Sequence, residues 1–139
     1  MLLVDTNVWL ATADRASRHH DRCASLVRER VDELASTVPV IAETAWLLLD
    51  RAGATAQSRF LAAITSGTIA VVDLTATDWI RVQQLVTTYA DAALDVIDAS
   101  TIAAAERLNQ TEIATLDERD FRIVRPNHTT AFTLLPGTT

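Results

Sequence analysis

The feature that most constrains the fold is the opening run Leu2-Leu3-Val4, which stops at the carboxylate of Asp5 before a short apolar segment resumes. A continuous hydrophobic run closed by a polar residue is the pattern of a strand buried on both faces of a parallel sheet. In open α/β sheets, ligands bind outside the carboxyl ends of the strands, so Asp5 stands where a site belongs. Asp5, Thr6 and Asn7 also suit the N-cap of a helix running from residue 7 to about 13, and that plainer role stays open for Asp5.

The alternation continues along the chain. Further short strands are expected at 33–38, 69–74, 112–116 and, at a sheet edge, 132–135. Helices are expected to about residue 30, then at 40–51, 55–65, 75–89 and 99–109, the last with Asp98 as its N-cap. This predicts an α/β fold: one α/β/α domain over 1–139, with a mostly parallel central sheet of four to five short strands and a tail at 136–139. Phe60, Leu61 and Ile64 should point inward from one helix, and Trp79, Ile80, Val82 and Leu85 from another. The helix at 40–51 is apolar almost all round, which requires a central position or a covering partner. Its one early charge, Glu43, needs a cation, a donor or a raised pKa if it is buried. The segment 117–121 reads as a polar turn closed by an aromatic.

Charge narrows the function. A formal net charge of −6 argues against broad electrostatic binding of nucleic acid. Carboxylates gathered round a metal, however, stop repelling a substrate once the cation is bound. All twelve cationic residues are Arg, which binds phosphate bidentately, although a compositional bias explains this equally well. The single Cys23 excludes an internal disulfide framework and fits a reducing compartment. No signal peptide or bilayer-spanning stretch is apparent, so a cytoplasmic protein with no membrane partner is expected. His19 and His20 are adjacent, cannot share a helix face as paired ligands would, and read as surface or loop residues.

In a parallel α/β fold Asp5 and Asp117 both follow strands, Asp98 opens a helix, and Glu43 lies in the first turn of another. Any one of them is explained as a cap. Four in register would repel one another without a cation. An all-oxygen cluster suits Mg²⁺ or Mn²⁺ rather than Zn²⁺, and such a site fits phosphoryl chemistry. There is no dinucleotide-binding glycine motif and no P-loop. Aspartate-nucleophile phosphatases want a second Asp where this chain has Asn7, and both they and receiver domains use a Lys that it lacks.

The segments Leu3-Val4-Asp5-Thr6-Asn7, Ile41-Ala42-Glu43, Val96-Ile97-Asp98-Ala99-Ser100 with Ala105-Glu106-Arg107-Leu108, and Ala114-Thr115-Leu116-Asp117 with Asp120-Phe121 carry a resemblance. In their order and spacing the chain resembles PIN-domain ribonucleases, most closely VapC-type toxins of bacterial type II toxin–antitoxin pairs. The resemblance implies a PIN-like domain and metal-dependent endonucleolytic cleavage of RNA. It implies catalysis and Mg²⁺ or Mn²⁺ binding by Asp5, Glu43, Asp98 and Asp117, with Thr6, Asn7 and Thr115 in support and Asp120 as a further acidic position. It also implies a homodimer and a cognate antitoxin that inhibits the enzyme, with contacts expected at 40–49 and 55–64. Asp95 falls outside the motif. Arg119 and Arg122 are candidates to hold the RNA backbone, although with Arg125 they also fit a solvated edge. Two rival classes are a non-catalytic PIN-like module that binds RNA or protein, and a small metal-dependent phosphatase.

Overall fold

Strand β1, Leu2–Val4, is buried along its whole length, as its apolar run requires. It pairs in parallel with β2, Leu34–Thr37, on one side and with β4, Glu112–Ala114, on the other. Outside these lie β3, Ala70–Val72, and β5, Thr133–Leu135, giving the order β3-β2-β1-β4-β5. Every pairing is parallel, so the expected mostly parallel sheet is wholly so, with five strands. The computed structural model describes residues 1–137; of the tail expected at 136–139, residues 138 and 139 lie outside the described residues.

The helices are α1 Thr6–Ala13, α2 His20–Glu29, α3 Val38–Ala52, α4 Ala54–Thr65, α5 Ala76–Thr88, α6 Val96–Arg107 and α7 Glu118–Ile123. Side chains alternate across a pleated strand, and this sorts the core into two layers. Leu2 and Val4 pack with Trp9, Leu26, Leu48 and Phe60 from α1–α4, while Leu3 packs on the other face with Leu85, Ile102 and Phe121 from α5–α7. Ala99, Ala103, Ala104 and Ala105 of α6 are all buried, small side chains that let the helix approach closely. The Ser100 hydroxyl donates to the carbonyl of Ile97 and lies 2.8 Å from that of Thr37, so neither buried hydroxyl is orphaned.

Local signals set the ends of α3. Pro39 occupies its first turn, and Gly53, at φ 93°, closes it by donating to the carbonyls of Leu48 and Leu49. Its buried stripe is Val40, Thr44 and Leu48, whereas Trp46 is 62% exposed. Three inward assignments are corrected. Trp79 and Ile80 of α5 face outward, Ile80 being 59% exposed, and Leu61 of α4 is exposed as well. On α5 the inward place belongs to Asp78, which closes a capping box with Thr75 and receives Arg107 at 2.9 Å. A paired carboxylate therefore sets the helix phase, and the neighbouring Trp79 turns to the surface. Residues 117–121 are not a turn either: Asp117 caps α7, and Phe121 anchors it, packed edge-on against Phe132 at 6.4 Å.

Glu106 and Arg107, part of the quoted motif, serve the fold through Arg81 at 2.7 Å and Asp78 respectively. Among the described residues no helix is long and apolar enough to cross a membrane.

Candidate active site

Parallel register builds the first half of the site. Val4 pairs with Ala114, so the next residues, Asp5 and Thr115, emerge side by side at the carboxyl edge of the sheet. The Thr115 hydroxyl donates to Asp5 Oδ2 at 2.9 Å, and the Thr6 amide donates to Asp5 Oδ1 at 2.8 Å. Asp5 is therefore the cap of α1 while standing at the carboxyl edge of the sheet, so capping does not remove it from the candidate site. Asn7 Oδ1 accepts from the Leu116 amide at 2.9 Å, and Thr115 Oγ1 accepts from the Asp117 amide at 3.0 Å. Thr115 and Asn7 thus tie the end of β4 to the start of α1.

The sheet order explains why this edge holds the site. From β1 the chain passes to β2 and β3 on one side, then crosses to β4 on the other. The crevice above β1 and β4 is the topological switch point, where α/β sheets place ligands.

The second half comes from α6. Its cap is Asp95, not Asp98: the Asp95 side chain accepts from the Asp98 amide at 2.8 Å. Asp98 occupies the first turn and is buried. We expect Asp95→Ala to be less stable than Asp95→Asn by about 1 kcal/mol, because asparagine caps as well as aspartate and both remove the same charge. Urea midpoints of the two variants would measure this, and equal midpoints would refute the assignment of the cap.

A cleft of about 310 Å³ is lined by Asp5, Thr6, Asn7, Glu43, Asp98 and Asp117, along with Asp95, Leu10, Leu47 and Arg51. All four expected carboxylates therefore face one space. The tightest group within it differs from the expected four. Single carboxylate oxygens of Asp98, Asp117 and Asp120 lie within 4.8 Å of one another, while Asp5 and Glu43 stand outside that set. Asp120 joins because α7 turns it back toward Asp117, a geometry that an open turn over 117–121 would not give. Arg51 was not anticipated. Glu43, Leu47 and Arg51 recur every fourth residue on α3, so helical spacing alone could have found it.

Crowding shows in the electrostatics. Burial, partly offset by the hydrogen bonds from Thr115 and Thr6, pushes Asp5 up to about 6, with Glu43 and Asp117 adding repulsion. Burial and then the charges of Asp5, Asp95 and Asp117 push Asp98 up to about 9. Asp117 is raised by burial and by Asp120. The hydroxyl of Thr6, a residue of the cleft wall, is buried without a hydrogen-bond partner among the described residues. Unrelieved carboxylate repulsion and an orphaned hydroxyl at one place fit a hard divalent cation with its water.

His20 is absorbed by the fold, its Nδ1 lying 2.9 Å from the Ala11 carbonyl. Arg122 pairs with Glu118 at 2.9 Å, whereas Arg119 borders a cleft adjoining the acidic one.

The sequence model of the PIN domain family matches residues 2–125. Ribonuclease VapC26 of Mycobacterium tuberculosis is 28% identical over 135 residues, 97% of this chain and 100% of that protein. Among solved structures, the sarcin-ricin loop cleaving toxin VapC20 of Mycobacterium tuberculosis aligns with TM-score 0.79 at 20% identity, covering 86% of this chain and 92% of that one. VapBC2 from Rickettsia felis, bound to a DNA fragment from their promoter, aligns with TM-score 0.67 at 16% identity over 96% of each chain.

Proposed function

The chain belongs to the PIN domain family, and from that premise we propose that it is an Mg²⁺- or Mn²⁺-dependent endoribonuclease acting as the toxin of a toxin–antitoxin pair. The observation that carries this reading is the convergence of Asp5, Glu43, Asp98 and Asp117, from four separate elements, on one cleft at the switch point of the sheet. The similarity to ribonuclease VapC26 along almost the whole chain supports RNA as the substrate.

In this reading Asp5, Asp98 and Asp117 would hold the cation, with Asp120 close enough to Asp98 and Asp117 to share in it. When bound, the cation would polarise the phosphodiester, neutralise charge developing on it and favour attack by water. Thr115 and the Thr6 amide keep the Asp5 carboxylate from rotating. Glu43 faces the cleft from outside the tight set, so it is free to accept a hydrogen bond from the attacking water and orient it. The water oxygen bonds to phosphorus and releases a proton to solvent, the P–O3′ bond breaks and O3′ takes up a proton, so the products carry a 5′-phosphate and a 3′-hydroxyl.

A partner is supported by the surface of α3. Trp46 and Leu49 are exposed, large apolar side chains on the outward side of α3 where a solvated helix would carry polar ones. An antitoxin and a second copy of the chain are the partners proposed for α3 and α4. The whole chain, 1–139, is read as one such unit.

Incubating the purified protein with total cellular RNA, in Mg²⁺ or Mn²⁺ and in chelator, tests the reading. A few discrete cuts with 5′-phosphate ends, lost in chelator, are the expected result. No cuts from folded, antitoxin-free protein would turn the reading toward a non-catalytic binding module. Turnover of phosphomonoesters alone would turn it toward a phosphatase.

A further inference from the structure

Beside the acidic cleft lies a second one of about 450 Å³, bordered by Arg18, His19, Arg22 and Arg119 and sharing Thr115 and Asp117 with the site. We propose that this cleft is a phosphate-binding subsite that holds an internal backbone phosphate of the RNA strand next to the one that is cut. The inference rests on the reading of the chain as a ribonuclease and adds to it the place where the substrate strand leaves the acidic site.

Three observations carry it. First, the arginines here have no carboxylate partners. Arg30, Arg81, Arg107 and Arg122 all form ion pairs, whereas Arg18, Arg22 and Arg119 form none among the described residues. Eight of the twelve Arg form no ion pair among the described residues, and three of those eight meet at this one cleft in a chain of net charge −6. The one other carboxylate on its wall, Glu118, is engaged by Arg122.

Second, the donors there outnumber the acceptors. Arg18 Nε lies 3.1 Å from His19 Nε2, and Arg22 Nη2 lies 2.8 Å from His19 Nδ1. A neutral imidazole accepts at one nitrogen only, so His19 satisfies at most one of these two arginines. Arg22 also donates to the Gly137 carbonyl, which fixes its guanidinium at the cleft. The Arg119 side chain makes no hydrogen bond among the described residues, leaving its fork open at the cleft. A phosphate supplies several acceptor oxygens in the geometry a guanidinium fork matches.

Third, the two clefts meet. Asp117 borders both, so a strand whose scissile phosphate lies at the carboxylates can lay a neighbouring phosphate against these arginines. The acidic site repels the strand electrostatically until a cation binds, and a fixed cationic subsite at its edge supplies the attraction that the net charge withholds.

The test uses the full chain with a labelled single-stranded RNA that it cuts. Arg18→Ala/Arg119→Ala changes two exposed side chains with no ion-pair partner, so the fold should survive, as a thermal melt will check. The expected result is a KM raised at least about 10-fold with kcat within about twofold, and a salt dependence of log KM shallower by about 0.7, the loss of one single-strand phosphate contact. Arg18→Lys/Arg119→Lys should restore most of the salt slope while recovering only part of KM, since lysine keeps the charge without the fork. Arg28→Ala, about 9 Å farther along α2, should change neither. Wild type that neither binds nor cuts RNA would overturn the ribonuclease reading, and this subsite with it. Wild type that cuts RNA while the double alanine variant keeps its KM and salt slope would overturn the subsite alone. Inorganic phosphate that binds wild type but not the double alanine variant at millimolar concentration, while leaving the KM for RNA unchanged, would also overturn it, in favour of a site for free phosphate.

Discussion

Asp98→Asn is expected to slow RNA cleavage by at least about 100-fold while making the metal-free protein harder to unfold. The first effect follows if Asp98 is one of the carboxylates that hold the cation, since a factor of about 100 corresponds to about 2.7 kcal/mol of lost transition-state stabilisation. The second follows from the crowding of the site. Burial and neighbouring carboxylates hold Asp98 up at about 9 and Asp5 at about 6, both above the ordinary value of 3.8. Each unit of such a shift is worth about 1.4 kcal/mol between folded and unfolded states. Below about pH 4 these groups are protonated in both states and cost nothing. As pH rises, the unfolded chain releases its protons first, so metal-free stability falls up to about 6 on account of Asp5 and up to about 9 on account of Asp98. This slope is the reverse of that of a salt-bridged carboxylate. Asparagine removes the Asp98 share and leaves its backbone amide donating to Asp95. Thermal melts in chelator should show the variant above wild type at neutral pH and converging with it in acid. Added Mg²⁺ or Mn²⁺ should raise the wild-type melt more than that of the variant. A variant less stable than wild type throughout, or one that still cuts RNA, would refute this account of the site.

Phe121→Ala is expected to destabilise the fold by about 3–5 kcal/mol, the range for removing a large buried aromatic. Phe121 is 1% exposed, and its ring meets that of Phe132 edge-on. Helix α7 has only six residues, too few to hold together unaided. Phe121 is what ties it to the core, and α7 in turn places Asp120 beside Asp98 and Asp117. The variant should therefore also need more Mg²⁺ or Mn²⁺ to reach a given melting temperature. Urea unfolding with and without the cation would measure both effects. A cost below about 1 kcal/mol with an unchanged metal response would show that α7 is held some other way.

Much of this architecture was legible from residues near one another in the chain. The run before Asp5 identified a doubly buried strand, and Pro39 and Gly53 marked the first turn and the close of α3. Asp78 shows where local reading stops. Trp79 and Ile80 are the larger apolar residues, but the capping box of Asp78 and its ion pair with Arg107, 29 positions away, turn that carboxylate inward and the aromatic outward. Asp95 and Asp98 show the same boundary, since either could cap a helix in sequence and the hydrogen bond chooses Asp95.

By itself the sequence determined the elements other than α7, the parallel alternation of strands and helices, and an acidic, all-oxygen set of candidate residues without lysine or paired imidazole. Those follow from side-chain periodicity, from capping and from the residue types present, all short-range properties. Only the tertiary structure decided which carboxylates meet. Asp5 and Thr115 touch across 110 positions because β1 and β4 are neighbours in the order β3-β2-β1-β4-β5. Asp120 enters the tight set because α7 is a helix, Arg51 reaches the cleft because α3 lies along it, and Arg18, Arg22 and Arg119 gather because α2 and α7 start at the same edge. Such proximities are set by strand register and by the packing of helices on opposite faces of the sheet. Their energies depend on distance and burial in space, and neither is encoded in the spacing of residues along the chain.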